Sequence, residues 1–180
     1  MKSRFGIARR KSARVLSGPW TVPWRLFADR SGATMVEFAL AGIPFLLLLF
    51  ATFEIGFVYW ANKELENATN DAARLVRTGQ AQAASMTQAD LKREACNRVA
   101  ILVDCNTRLR LDVRSAANFA DIDPPAATNG TGGLKSDNDF SYSPGAADQA
   151  VLVTAYFDWP ALFQGERILR ASAPLRNEPF

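Results

Sequence analysis

From Phe38 to Phe53 no side chain carries a formal charge, and the run PFLLLLF inside it is apolar on every side, with no polar stripe. A helix that is hydrophobic all round belongs in a large core or in a membrane, and the expectation here is a membrane span. If Ala33 to Trp60 is helical it extends roughly 40 Å at about 1.5 Å per residue, enough to cross a bilayer. Phe53, Phe57, Tyr59 and Trp60 then fall where an interfacial aromatic belt lies.

The apolar run passes without a turn into ANKELENATNDAARLVRTGQ, where Leu65, Ala68, Ala72, Leu75 and Val76 recur near the helical period. One helix from about Ala33 to Thr78 is expected, a membrane span followed by an amphipathic stem. Pro44 offers no N–H to the Leu40 carbonyl and is expected to bend it. Arg74 and Arg77 suit its last turn, and Gly79 is placed to end it. Further on, TQAD offers Thr87 as an N-cap with Asp90 three residues later, and Leu91, Ala95, Val99 and Leu102/Val103 share one face. A second helix reaching about Val103 follows from that pattern.

TRLRLDVRS alternates, with Leu109, Leu111 and Val113 on one face and Arg108, Arg110, Asp112 and Arg114 on the other, which predicts a half-exposed strand. Residues 116–149, rich in Asp, Pro, Gly, Asn and Ser, read as a long loop with at most short irregular pieces. AVLVTAYFDW, from Ala150 to Trp159, is dense in β-branched and aromatic residues and is the strongest strand signal. RILRASAPLRN is expected to return antiparallel to it, because the link PALFQGE suits a hairpin better than a crossover. The fold class is therefore α+β: a long N-terminal transmembrane and stem helix, a second helix, and a small antiparallel sheet. The organisation expected is a basic cytoplasmic leader over 1–32, the helix over 33–78, and a head over 79–180.

Charge changes the picture at one end. Eight Lys/Arg stand in residues 1–31 against Asp29 alone, so the formal charge of +3 hides a basic leader and a net acidic remainder. Positive charge confined to a leader argues against a nucleic-acid partner and, by the positive-inside rule, predicts a cytoplasmic N-terminus and a periplasmic C-terminus. The chain contains no histidine, which removes the commonest general base and metal ligand. Neither a phosphate-cradling glycine loop nor a nucleophile elbow is found, so no catalytic residue, metal or cofactor is assigned. Cys96 and Cys105 are an even count in a chain expected to leave the cytoplasm, and a disulfide is favoured over a metal pair or free thiols. Asp137 and Asp139, with Asp121 and Asp123, hint at calcium; but Tyr142 and Asp148 stand where a hand-type loop needs glycine and glutamate. A solvated acidic loop is the expectation.

The junction is the most informative constellation. Gly32, four further residues, then Glu37 and Phe38 open the apolar run, and RSGATMVEFAL resembles a type IV prepilin processing site. The resemblance implies a cut by a membrane aspartyl peptidase between Gly32 and Ala33. Glycine leaves its carbonyl unobstructed, and small Ala33 and Thr34 are expected to keep the junction extended and reachable. Cutting creates an ammonium on Ala33 that Glu37 can neutralise, within its own turn or on a neighbouring subunit; at low dielectric such a pair also sets axial register. The other reading of Glu37 is a carboxylate marking the membrane boundary.

With the glutamate in ATFEIGF, the stem NATNDAARLVRTGQAQ, the paired cysteines and the ending ASAPLRNEPF, the chain is most similar to TadE-like minor pilins of tight-adherence pilus systems. That implies an inner-membrane, single-pass subunit working with a prepilin peptidase, other minor pilins, the major pilin and an assembly platform. It also implies assembly roles for Glu37 and Phe38. Glu54 has no Lys or Arg at positions 50, 51, 57 or 58; a solvated interfacial carboxylate and a contact to another subunit both remain open for it. The alternative for the whole chain is an uncleaved, membrane-anchored periplasmic binding or scaffold protein.

Overall fold

The computed structural model describes residues 32–97, 99, 102, 104–160 and 166–180; the basic leader and the PALFQGE link lie outside them in whole or in part. Helix α1, Ala33–Arg77, is one helix of 45 residues that carries through Pro44 without a break. The chain divides after Leu47 into two compact units. In the first, α1 presents its apolar side chains outward, with Phe38 79% exposed and Met35 77%. In the second, from Leu48 onward, α1 changes character at Ala61: Ala61, Leu65, Ala68, Thr69, Ala72, Ala73 and Val76 are buried in the core. These positions form the helical stripe expected of the stem, and Leu75 packs against it half-buried.

The end of α1 is held from both sides of the chain. Gly79 adopts φ 73°, the left-handed conformation that a glycine reaches without a Cβ penalty, and its N–H donates to the Val76 carbonyl at 3.1 Å. The Glu178 N–H donates to the Arg77 carbonyl at 2.9 Å, Arg77 pairs with the Glu178 carboxylate at 3.2 Å, and Phe180 lies over Gly79. A short helix, α2 (Gln80–Ala83), follows.

Helix α3, Gln88–Asn97, begins as expected. The Thr87 Oγ1 accepts from the Asp90 N–H at 3.2 Å, while Asp90 Oδ2 accepts from the Thr87 N–H at 3.0 Å and hydroxyl at 2.7 Å, a reciprocal capping box. The helix was expected to reach Val103, which lies outside the described residues; it ends at Asn97, and neither Val99 nor Leu102 is helical. Cys96 and Cys105 are bridged with their Cα atoms 5.7 Å apart. Nine residues of continuous helix would separate them by roughly 13 Å, so the helix must end for the bridge to close. Asp104 turns the chain with φ 55°, and α4, Cys105–Arg108, precedes the strand, which starts at Leu109 and not Thr107.

Strands β1 (Leu109–Ala116), β2 (Ala150–Pro160) and β3 (Glu166–Arg176) form an antiparallel sheet in the order β1-β2-β3. Leu111 faces Ala155, which faces Ala171; Val113 faces Val153, which faces Ala173. These side chains, with Leu109, Val151, Phe157 and Leu169, make one buried face in the same core as the stem stripe of α1. β2 is buried on its other face too, where Thr154 and Tyr156 are enclosed, as a central strand with cover on both sides requires.

That second cover is the 116–149 segment, and it corrects the reading of β1 as half-exposed. Asp112 is 1% exposed: its Oδ1 accepts from the Ser141 N–H at 2.8 Å, and its Oδ2 pairs with Arg114 at 2.9 Å. Phe140 stacks on Tyr156 with ring centroids 5.3 Å apart, and the Tyr156 hydroxyl donates to the Pro125 carbonyl at 3.3 Å. Two 3-10 turns, Phe119–Asp121 and Asp137–Asp139, are the only helical pieces among the segment's residues.

Candidate functional site

The junction that the sequence singles out stands at the start of α1. Gly32 is exposed, immediately precedes the helix, and nothing lies within 4 Å of the position a Cβ would take. Ala33 and Thr34 are already helical, so the extended conformation expected at the junction is not the one present. A helix that begins here leaves its first N–H groups without intrahelical acceptors, and one helical turn further on stands Glu37, exposed. Ala33 and Glu37 are four residues apart in one helix, a spacing that brings neighbours on its surface to about 6 Å. Phe38, beside Glu37, is largely exposed.

Between the junction and Ala61 the helix offers an apolar surface of unusual extent. Ile43, Phe45, Leu47, Leu48, Phe50, Ile55 and Tyr59 are all more than half exposed. Phe50, Phe53, Phe57 and Trp60, between 51% and 54% exposed, follow one another at spacings of three, four and three residues. That spacing keeps side chains on one seam of a helix, so the four rings form a continuous ridge. Among the described residues α1 is the one helix long and apolar enough to cross a membrane by length and composition.

Glu54 lies on a different stripe from this ridge. It is half-buried and stands four residues before Val58, which packs on the head core, with Ala61 and Leu65 continuing at three and four. The structure therefore puts Glu54 at the N-terminal end of the stripe by which α1 packs against its own head. Glu37 and Glu54 belong to different compact units of the chain.

Cys96 and Cys105 are joined, as the sequence suggests. They tie α3 to α4 and so fix where β1 begins. Of the acidic loop residues, Asp137 is not free for a ligand: Lys92, 9% exposed along its side chain, donates to it at 2.9 and 3.2 Å, and Arg110 stands at 3.6 Å. Asp139 closes a capping box with Ser136 at 2.8 and 3.0 Å. Among the described residues no group of three or more His, Cys, Asp or Glu is arranged to hold a metal. Hydrogen bonds from the Thr87 side chain and backbone, and then the Arg93 charge, hold the Asp90 carboxyl below its usual range. Burial pushes the Tyr156 hydroxyl up.

Sequence reasoning did not find the enclosure of Lys92 or the tie between the chain's last residues and α1. The nearest signals were the apolar pair Phe140 and Tyr142 inside a polar segment, which marks a loop that packs, and the aromatic Phe180 after Asn177-Glu178-Pro179. No curated protein and no solved structure matches the chain. Residues 32–74, from the glycine before α1 to its last turn, match the family model for TadE-like proteins.

Proposed function

We propose, from the premise that residues 32–74 are TadE-like, that this chain is a minor, pilin-like subunit of a Tad-type pilus system. A prepilin peptidase removes the basic leader by cutting between Gly32 and Ala33. α1 then holds the subunit in the inner membrane as a single pass, with the head in the periplasm, and later packs among the helices of other minor pilins and the major pilin on the assembly platform. Its work is assembly and not catalysis. The observation that carries this reading is the coincidence of the family match with an exposed glycine and the exposed apolar length of α1.

The mechanism follows from the dielectric. In a membrane or a helix bundle the large apolar side chains of α1 lose their contact with water, at about 25 cal/mol per Å² of apolar area, and that term is blind to register. Charge supplies the register. The cut leaves an ammonium on Ala33, and Glu37 of the same or a neighbouring helix neutralises it, since an unpaired charge in hydrocarbon is costly. Phe38 adds apolar bulk beside the pair. Glu54 acts at the other end of the span, at the boundary between the exposed helix and the head.

Glu37→Val tests the division of labour. The expected result is normal removal of the leader with pilus output reduced at least about tenfold, the loss of one buried charge pair; full pilus output from the variant would refute the pairing role. Glu54→Gln is expected to insert normally and impair assembly, and unchanged output would remove Glu54 from the account.

A further inference from the structure

The 116–149 segment carries a small hairpin of its own. Thr128 and Leu134 form an antiparallel bridge. Around it the Lys135 N–H donates to the Ala127 carbonyl at 3.0 Å, the Asn129 N–H to the Gly133 carbonyl at 2.9 Å and the Gly132 N–H to the Asn129 carbonyl at 3.1 Å. The tip, Asn129, Gly130, Thr131 and Gly132, is exposed. Within it the Asn129 amide is held at one atom. Its Oδ1 accepts from the Thr131 N–H at 3.0 Å, the Thr131 hydroxyl at 2.7 Å and the Gly133 N–H at 3.0 Å. Two backbone donors on one side-chain atom identify that atom as the oxygen, so Nδ2 faces away from the turn. Among the described residues nothing accepts from Nδ2 or from the Gly130 N–H.

An asparagine amide can be attacked by the backbone nitrogen of the next residue, which closes a five-membered ring. Three features of this tip favour that reaction. The nucleophile is covalently tied to its target, so no encounter is needed. Gly130 has no Cβ to obstruct the approach, and its N–H has no bond to give up. Negative charge develops on Oδ1 as the new bond forms, and three donors already point at that atom, as in an oxyanion hole. Asn129-Gly130 is the one Asn-Gly pair in the sequence. Asn67 is exposed too, but it lies inside α1 with Ala68 after it, and the helical ladder occupies the N–H that would attack.

We propose that Asn129 is a self-modification site, at which the hairpin converts its own asparagine amide to a carboxylate with water as the co-reactant. The Gly130 nitrogen gives its proton to solvent base and bonds to Asn129 Cγ; the Cγ–Nδ2 bond breaks and Nδ2 leaves as ammonia. Water then opens the cyclic imide, leaving a carboxylate where the amide stood. No oxidant or reductant is required. The aspartate product keeps the acceptor that Thr131 and Gly133 bind, and a charged acceptor is held more strongly than a neutral one. The head thereby gains one negative charge at an exposed turn, irreversibly. The proposal stands on the hairpin alone and is independent of the pilin reading.

The test ages the full chain in detergent micelles at mildly alkaline pH and follows each asparagine by peptide mass mapping, with released ammonia measured in parallel. Asn129 is expected to convert, faster as the pH rises, with one ammonia per event, while Asn67 stays intact. Asn129→Asp is expected to match the aged chain in charge on ion exchange. Gly130→Ala places a Cβ where nothing lies within 4 Å, so the fold is kept, and it is expected to slow conversion roughly tenfold or more by crowding the nucleophile. Thr131→Val removes one donor to Oδ1, keeps the backbone N–H and is expected to slow conversion several-fold. No conversion at Asn129, conversion no faster than at Asn67, or an unchanged rate in Gly130→Ala overturns the proposal. Faster conversion in Thr131→Val would show that the bonds to Oδ1 restrain the amide and overturns it as well.

Discussion

Gly79 stands at φ 73°, and a Cβ placed on it would lie 2.6 Å from the Phe180 ring. The left-handed conformation costs a non-glycine residue roughly 1–2 kcal/mol, so Gly79→Ala is expected to destabilise the head by about that amount and to release Phe180, measured by thermal unfolding of the purified chain. Asp90 makes a different prediction. Its carboxyl is held below the usual 3.8 by its bonds to Thr87. A carboxyl with a depressed native value contributes stability that is complete above its unfolded-state value and is lost as the pH falls through the native one. The stability difference between the native chain and Thr87→Val is therefore expected to be constant near neutrality and to shrink in acid below pH 3.8. Carboxyl-carbon NMR of Asp90 together with urea unfolding across that range checks it; the part owed to the Asp90 N–H bond to Thr87 Oγ1 persists at every pH, and a difference as large at the lowest pH as at neutrality contradicts the assignment. At Glu37 the same scale of reasoning concerns function: in the proposed membrane setting a carboxylate at the start of the apolar run is costly to leave unpaired.

At the scale of elements, the disulfide decides where α3 stops and β1 starts. It closes a loop with a sequence separation of 9, for which loop-closure entropy gives about 2–3 kcal/mol. Reduction, or Cys96→Ser with Cys105→Ser, is expected to lower stability by that amount and to raise amide exchange over α4 and the start of β1, while α1 is unaffected. The same elements show what was legible from sequence. α1 was readable almost to the residue, because its apolar run, stem period, C-terminal arginines and Gly79 all agree. β2 and β3 were readable from β-branched density and hairpin spacing. The end of α3 was not, because the apolar spacing of Val99 and Leu102 continues a helical period that a covalent tie forbids. The burial of Asp112 was missed for a related reason: its place on the polar face of β1 says nothing about a loop 29 residues away whose Ser141 N–H it accepts. Long-range cover leaves little trace in a local pattern. Of the candidate site, the glycine, the two glutamates and the cysteines were visible in advance, whereas the stripe that carries Glu54 emerged only when Val58, Ala61 and Leu65 were seen to pack on the head.

At the scale of the whole molecule, the chain joins a helix that exposes its apolar side chains to a head that buries its own. Ala61 marks the change along α1, and the matched family region, 32–74, runs across it. An apolar exposure of this length in water would drive aggregation; in the proposed function a membrane, and then a helix bundle, covers it. In the proposed function the cut at Gly32 is the step that commits the subunit to assembly. The most direct measurement is the N-terminal sequence and intact mass of the protein extracted from membranes of cells with and without an active prepilin peptidase. A mature chain beginning at Ala33 is expected when the peptidase is present, and the full leader when it is absent. A chain that keeps Met1 and the basic leader in both, while pili are still made, would contradict it and leave an uncleaved membrane anchor in its place.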